Sequence, residues 1–311
     1  ESNHTVVFRA QDSVDSKALI LKLSKQEYPT PEQLARFRHE FEMINALQLD
    51  GVIQAYKLVP HKNRLLLELE DFGGESLANL LPDKKTDKKL ALKEFLTLAV
   101  RITDILEKIH QQNIIHKDIN PSNIVWNPAT NQLKIIDFDI ASRLSRETAS
   151  VLNPSMLQGT LAYMSPEQTG RMNRAMDYRT DFYSLGVTFY KMLINKLPFE
   201  SDDPVALVHA HIAKTARSLH EENQKIPETL SKIIMKLMSK TAEQRYQSAR
   251  GLKSDLELCM AQLNQTGTVD AFEIGQKDIC GNFQIPQKLY GRENEINILL
   301  ETFDRAAGGS S

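Results

Sequence analysis

Residues 116–139 read HKDINPSNIVWNPATNQLKIIDFD and carry the densest group of reactive side chains in the sequence. The turn-rich segments NPSN and NPATN separate short apolar runs that are typical of short β-strands. Three side chains that carry oxygen atoms fall near these turns and strand ends, namely Asp118, Asn123 and Asp137. The spacing indicates one site at which carboxylate and amide groups meet.

This set of side chains suits phosphoryl transfer, which needs metal ions to neutralise phosphate charge and a carboxylate to orient the attacking hydroxyl. The string HKDINPSNIVW resembles the catalytic loop of protein kinases, and IIDFD resembles their metal-binding segment. The resemblance implies that Asp118 is the catalytic base. It also implies that Asn123 and Asp137 hold two magnesium ions that accompany ATP.

Further motifs follow in the order that protein kinases have. GTLAYMSPE at 159–167 lies where kinases close the activation segment, and Thr160 precedes SPE by five residues, as in serine/threonine kinases. Asp181 resembles the buried aspartate that braces the catalytic loop, and Arg245 resembles the arginine that pairs with Glu167. The resemblance therefore implies a serine/threonine kinase that uses ATP and Mg²⁺ to phosphorylate protein substrates.

The N-terminal part contains candidates for the other half of a nucleotide site. In SKALILKL, Lys22 stands where the strand lysine of kinases contacts the α- and β-phosphates. Glu40 and Glu42, on the following helix, are candidates for its partner. At about 100° per residue, Glu40 flanks the apolar stripe, whereas Glu42 points to the opposite side. We therefore predict a pair between Lys22 and Glu40.

A hinge is predicted at the end of the strand RLLLELEDF, residues 64–72. By the same resemblance, Leu69 stands at the gatekeeper position, and the backbone from Glu70 to Phe72 meets adenine. Leu69, Glu70 and Phe72 are thus candidate nucleotide-binding residues. Leu69 fits an ordinary core position equally well.

Four positions depart from the kinase pattern. Residues 1–5, ESNHT, replace most of the glycine-rich loop that covers the phosphates, and the alignment places the first strand of the fold before them. Asp139 replaces a glycine, and Lys117 replaces an arginine that binds phosphate in two-pronged fashion. Asn120 replaces a lysine, so that a neutral amide would donate to the γ-phosphate. We expect weaker ATP binding and a slower enzyme.

The segments around these motifs predict an α+β, two-lobed fold of the protein-kinase type, with a small β-rich lobe before a larger helical one. Residues 5–23 read as a hairpin, and TPEQ at 30–33 is a capping box with proline at the first helical position. Helical spacing covers 91–110. Residues 180–195 are apolar nearly all round, which is typical of a helix in the centre of a lobe.

A wider resemblance concerns domain organisation. EDFGGESL, GTLAYMSPEQTGRMNRAMDYRTDFYSLGVTFYKML and FQIPQKLYGRENEINILL resemble large bacterial signalling proteins. These join an N-terminal serine/threonine kinase to an AAA-type ATPase, GAF and sensor histidine kinase modules. The resemblance implies that the C-terminal ATPase and sensor modules of the full-length protein are partners of this chain. The implied segments are a kinase domain at 1–266 with lobes at 1–72 and 73–266, a linker at 267–286, and the start of a truncated ATPase domain at 287–311.

Charge and composition restrict the classes of partner. The 38 basic and 40 acidic side chains nearly cancel, which disfavours nucleic acid and anionic membranes as partners. No run approaches the roughly 18 consecutive apolar residues of a membrane span, and no secretory signal opens the sequence. The two cysteines, Cys259 and Cys280, lack the spacing of a metal site and indicate a reducing compartment. We expect a cytoplasmic protein.

Two other functions are open. A pseudokinase that binds nucleotide or partner proteins and regulates the attached domains is favoured by the altered glycine loop, Asp139 and Asn120. A small-molecule phosphotransferase on the same fold would lack the SPE motif and Thr160. The joint retention of five residues favours a catalytic kinase: Lys22, Glu40, Asp118, Asn123 and Asp137.

Overall fold

The computed structural model describes residues 5–13, 16–81, 90–143, 160–170 and 176–279. Within these residues, a β-rich N-terminal lobe precedes a helical C-terminal lobe, which confirms the predicted α+β, two-lobed fold. Residues 1–4 of the predicted glycine-loop segment and the predicted ATPase segment at 287–311 lie outside the described residues.

The N-terminal lobe combines a four-stranded antiparallel sheet with one helix. Its elements are β1 (Thr5–Gln11), β2 (Ala18–Ser24), α1 (Pro31–Leu47), β3 (Ala55–His61) and β4 (Arg64–Glu70). The strand order is β1-β2-β4-β3, and the predicted hairpin is the pair β1 and β2. Lys22 lies opposite Leu67 of β4, on one of the two inner strands of the sheet.

Helix α1 begins as its sequence predicts. The Thr30 side chain accepts the backbone N–H of Gln33, and the Gln33 side chain accepts the backbone N–H of Thr30, which closes the predicted capping box. The helix ends at Leu47 and is capped by Gln48, which has a left-handed backbone and whose N–H donates to the Ile44 carbonyl. The buried face of α1 carries Phe37, Glu40, Met43, Ile44 and Leu47, and therefore turns one charged side chain inward with the apolar ones.

The C-terminal lobe is built mainly of helices around short strands. The helices are α2 (Leu77–Leu80), α3 (Leu92–Gln111), α4 (Arg179–Ile194), α5 (Pro204–Ala213), α6 (Leu219–Glu222), α7 (Glu228–Leu237) and α8 (Ala249–Thr266). The strands are β5 (Glu75–Ser76), β6 (Ile114–Ile115), β7 (Ile124–Asn127), β8 (Gln132–Ile135) and β9 (Ser142–Arg143). None of the described helices has both the length and the apolar character that crossing a bilayer requires.

Helix α4 is the central helix of this lobe, as its apolar sequence predicts. All of its residues except Lys191 are buried. The hydroxyls of its buried Thr180, Ser184 and Thr188 all donate hydrogen bonds. One of them, Thr188, donates to the carbonyl of Ile119 in the predicted catalytic loop at 3.2 Å. Helix α4 therefore supports that loop directly.

The hairpin of β7 and β8 carries the predicted metal-binding segment. Ile135 of β8 also pairs with the segment after α1, because its N–H donates to the Gly51 carbonyl at 2.8 Å and its carbonyl accepts from Ile53 at 3.2 Å. Strand β8 is thereby fixed to the connection between α1 and β3. Residues from both lobes meet at this point.

Residues 268–279, here called the C-terminal strap, follow α8 without a further helix or strand. Val269, Phe272 and Ile274 pack against the main core, and the N–H of Gly275 donates to Asp255 of α8 at 2.7 Å. The described part of the predicted linker at 267–286 is therefore docked on the C-terminal lobe.

Candidate active site

Lys22 is the cation at the centre of the candidate site. Its Nζ lies 2.8 Å from each carboxylate oxygen of Glu40 and 2.8 Å from Oδ1 of Asp137. Lys22 and Glu40 are both buried. The structure thus brings together one residue from β2, one from α1 and one from the segment that follows β8.

The charges of this group depend on one another. Burial alone would lower the pKa of Lys22, but the carboxylates of Asp137 and Glu40 outweigh burial and raise it. Burial raises the pKa of Glu40, and the charge of Lys22 opposes that rise. Burial also opposes ionisation of Asp137, yet Lys22 lowers the pKa of this carboxyl overall. Lys22 therefore stays positive and holds Asp137 in its anionic form.

Asp118 is held by an amide on each side. Asn120 Nδ2 donates to Asp118 Oδ1 at 2.8 Å, and Asn123 Nδ2 donates to Asp118 Oδ2 at 2.8 Å. Asn120 also caps the 3₁₀ turn Pro121–Asn123, because its side-chain oxygen accepts the N–H of Ser122. The sequence NPSN thus folds into a turn whose two asparagines orient the carboxylate of Asp118. The amide of Asn120, predicted to donate to the γ-phosphate, donates here to Asp118.

The carboxyl of Asp118 is set up to exchange a proton near neutral pH. Burial and the nearby charge of Asp137 raise its pKa to about 7, against the two amide hydrogen bonds that lower it. A carboxylate with a pKa close to the working pH suits a general base.

The backbone before Asp118 is fixed by Asp181 of α4. Its carboxylate accepts the N–H groups of His116 at 2.9 Å and Lys117 at 2.7 Å. Lys117 has a φ of 68°, in the left-handed region that a non-glycine residue rarely adopts. The predicted brace therefore holds the catalytic loop in an unusual conformation.

Asn123 and Asp137 meet the chemical requirements of a magnesium site. Mg²⁺ takes oxygen ligands and keeps several water or phosphate oxygens, so one or two protein groups suffice. Both hydrogen bonds of the Asn123 amide use its nitrogen, which leaves the oxygen as the atom suited to bind a cation. The Asn123 carbonyl accepts the N–H of Ile136 at 2.9 Å, and this bond holds the two predicted ligands near each other.

The predicted hinge residues have different surroundings. Leu69 is buried in the main core and lies opposite Ile20 of β2. The Glu70 carboxylate lies 2.7 Å from Nζ of Lys134, and the Phe72 carbonyl accepts the amide of Asn127 at 2.7 Å. The side chain of Glu70 is therefore bound to Lys134, and the predicted contact with adenine would be made by the backbone of Glu70 alone.

The segment at 160–170 is fixed to the lobe by a buried ion pair. Arg245 lies 2.6 and 2.9 Å from the two carboxylate oxygens of Glu167, and Thr180 donates to the same carboxylate at 2.8 Å. Gln168 donates to the carbonyl of Lys117 at 2.8 Å, which ties this segment to the catalytic loop. Thr160 begins the turn Thr160–Tyr163, but its side chain lies outside the described part of the chain.

Several residues of the site were not singled out from the sequence. His110 Nε2 bonds to Asp181 at 2.9 Å, and nothing in the helical pattern of α3 distinguishes it. His39 Nε2 bonds to the carbonyl of Ala141 at 2.6 Å and so connects α1 to the segment after Asp139. Lys134 had a signal, because a lysine inside the apolar run LKII must find a partner when the strand is buried.

Comparison with known proteins agrees with this geometry. The profile of the family described as "Protein kinase domain" matches residues 2–256. The chain is similar to a probable serine/threonine-protein kinase of Clostridium perfringens, with 29% identity over 86% of this chain. It is also similar to the serine/threonine-protein kinase PrkC of Bacillus subtilis, with 26% identity over 81% of the chain. A hybrid signal transduction histidine kinase of Dictyostelium discoideum is 28% identical over 75% of the chain.

All three relatives are longer than the matching region. The similarity covers 38% of each of the two bacterial proteins and 9% of the Dictyostelium protein.

Proposed function

The chain belongs to the protein kinase domain family, and from that premise we propose that it transfers the γ-phosphate of ATP to serine or threonine hydroxyls of protein substrates. One observation carries the proposal: Lys22 contacts both Glu40 and Asp137 at 2.8 Å. This contact draws the N-terminal lobe to the predicted metal ligand. Phosphoryl transfer depends mainly on such positioning and on charge stabilisation.

Each residue has a defined part in the proposed reaction. Lys22 binds the α- and β-phosphates, and Glu40 fixes its ammonium group. Asn123 and Asp137 would hold Mg²⁺, which would neutralise charge on the phosphates. Asp118 orients the acceptor hydroxyl and takes its proton. Asn120 keeps the Asp118 carboxylate in place through the bond to Oδ1.

A regulatory pseudokinase is the second candidate, and Asn120 is the observation that favours it. Its amide donates to Asp118 and supplies no positive charge near the transferred phosphate, where related enzymes have a lysine. Asp139 adds a further carboxyl close to Asp137. This candidate predicts binding of nucleotide without transfer.

A transfer assay separates the two candidates. With radiolabelled ATP, Mg²⁺ and a generic protein acceptor, the chain should label serine and threonine. Asp118→Asn should reduce the rate at least about a hundredfold, because it removes the base while keeping the shape. Asp202→Asn is the matched control at an exposed site and should leave the rate unchanged. Equal labelling by wild type and Asp118→Asn, or label found mainly on tyrosine, would contradict the proposal.

We also propose that the chain is the kinase module of a larger cytoplasmic signalling protein with C-terminal ATPase and sensor modules. Two facts support the larger context. The similarity covers a small share of the hybrid histidine kinase from Dictyostelium, and the sequence continues past the kinase profile to residue 311. Co-purification of this chain with the modules encoded after it would test the partnership.

A further inference from the structure

Lys134 is a buried charged residue that the reaction described above does not use. It lies on β8 and is 5% exposed. Its Nζ lies 2.7 Å from Oε2 of Glu70, donates to the Val52 carbonyl at 3.5 Å, and is 5.7 Å from the centre of the Phe72 ring. A buried lysine is costly without a partner, so the contact with Glu70 is essential to its position.

Glu70 is held from two sides. It is the last residue of β4, and its backbone N–H donates to the Gln54 carbonyl at 3.0 Å. Its carboxylate Oε2 accepts the N–H of Gln54 at 3.3 Å in addition to the bond from Lys134. The carboxylate therefore joins β8, the end of β4 and the segment before β3 at one point.

The contact between Lys134 and Glu70 lies close along the chain to the predicted metal ligands. Asp137 follows Lys134 by three residues, and the intervening backbone is bonded on both sides. Ile135 pairs with Gly51 and Ile53, and Ile136 donates to the carbonyl of Asn123 at 2.9 Å. A displacement of Lys134 relative to Glu70 would therefore be passed to Asp137 and Asn123.

We propose that the Lys134–Glu70 ion pair is a positioning device that fixes the distance between the hinge and the magnesium ligands. The inference rests on the proposed function, in which the hinge binds adenine and Asp137 and Asn123 bind the metal at the phosphates. A nucleotide can place its adenine at the hinge and its phosphates at the metal ligands only if this distance is held within a fraction of an ångström. Because the Lys134 side chain is only 6% exposed, its ammonium group depends on Glu70 as its charged partner.

Two ligands distinguish positioning from general stability. Adenosine engages the hinge end alone, whereas MgATP needs both ends at the right distance. By isothermal titration, Lys134→Met should weaken MgATP about tenfold, while the affinity for adenosine changes less than about twofold. Lys134→Arg keeps the charge and should recover most of the MgATP affinity.

The matched control is Lys57→Met on β3, the strand that pairs with β4. Lys57 lies 3.9 Å from Glu68, but its side chain is 66% exposed, so the same substitution removes an exposed pair. It should change neither affinity. If Lys134→Met does not fold, as judged by circular dichroism, Lys134→Gln serves instead, with the same ratio of affinities as the readout.

Equal weakening of both ligands, or no change in either, would overturn the inference. Its failure is distinguishable from failure of the proposed function. A wild-type chain that binds MgATP but transfers no phosphate refutes the proposed function alone, because the ratio of affinities can still be measured. A wild-type chain that binds neither ligand refutes both.

Discussion

Two carboxylates, that of the buried Glu40 and that of the half-buried Asp137, depend on the single ammonium group of Lys22. Glu40 and Asp137 each lie 2.8 Å from its Nζ, and both belong to segments that reach this point from different parts of the chain. The loss of one partner from a buried ion pair leaves an uncompensated charge, which costs more than the pair itself contributes. Lys22 therefore has a structural role in addition to its proposed role at the phosphates.

The two roles of Lys22 can be separated by a double substitution. Lys22→Met should lower the free energy of unfolding by about 3 kcal/mol, because Glu40 and Asp137 are left facing each other. Adding Glu40→Gln removes one of these charges and should recover at least about half of the loss. Phosphate transfer should stay at least about a hundredfold below wild type in both variants. Chemical denaturation and the radiolabelled assay measure the two effects.

Lys225→Met, at an exposed position between α6 and α7, is the control and should affect neither quantity. Recovery of transfer in the double variant would show that Lys22 acts only through stability.

At the scale of elements, features that depend on neighbouring residues could be predicted from the sequence more often than contacts between distant residues. The capping box of α1, the buried α4 and the hairpin of β1 and β2 were predicted because each depends on residues that are close in sequence. The Lys134–Glu70 pair joins residues 64 positions apart, and neither residue has a pattern that names the other. The bond from Asn120 to Asp118 was missed for another reason, because a side-chain amide can donate to a ligand or to a neighbour.

The segment at 160–170 is predicted to detach from the C-terminal lobe in acid. Burial opposes ionisation of Glu167, but the hydrogen bonds and charge of Arg245 outweigh it and lower the pKa below its usual 4.5. A carboxyl with a lowered pKa in the folded state contributes stability above its unfolded pKa, and this contribution disappears as the pH falls through the folded value. Stability should therefore decline as the pH falls below about 4.5.

The variant Glu167→Gln isolates this contribution. Its melting temperature should lie below that of wild type at pH 7, and the gap should narrow as the pH falls from 5 to 3, because wild type then loses the same charge. Other titrating groups cancel in the difference. A gap that stays constant over this range would show that the ionisation of Glu167 does not stabilise the fold.

At the scale of the whole molecule, the C-terminal strap extends the folded unit beyond α8. The Asp278 carboxylate accepts the N–H groups of Gln247 at 2.8 Å and Ser248 at 2.9 Å, just before α8 begins. Gln247 in turn accepts from Arg179 of α4 at 2.7 Å. The strap is thus connected through one residue to the helix that braces the catalytic loop.

Gly251 provides a test of this packing in which the sign of the effect changes. A Cβ on Gly251 would lie 2.5 Å from Oδ1 and 2.6 Å from Cα of Asp278, so Gly251→Ala must displace the strap. In the full chain we expect this substitution to lower the free energy of unfolding by about 1 to 3 kcal/mol, as overpacking does. In a chain that ends at residue 267 the obstacle is gone, and alanine should stabilise α8 by about 0.5 to 1 kcal/mol over glycine.

Glu257→Ala, at an exposed position of the same helix, should have the same small effect in both chains. Wild type and the two variants, each in the full and the shortened chain, make six proteins. Chemical denaturation gives the sign of the change in the free energy of unfolding, and circular dichroism establishes that the shortened chain folds. Destabilisation by Gly251→Ala in both lengths would mean that the strap is not what confines this glycine.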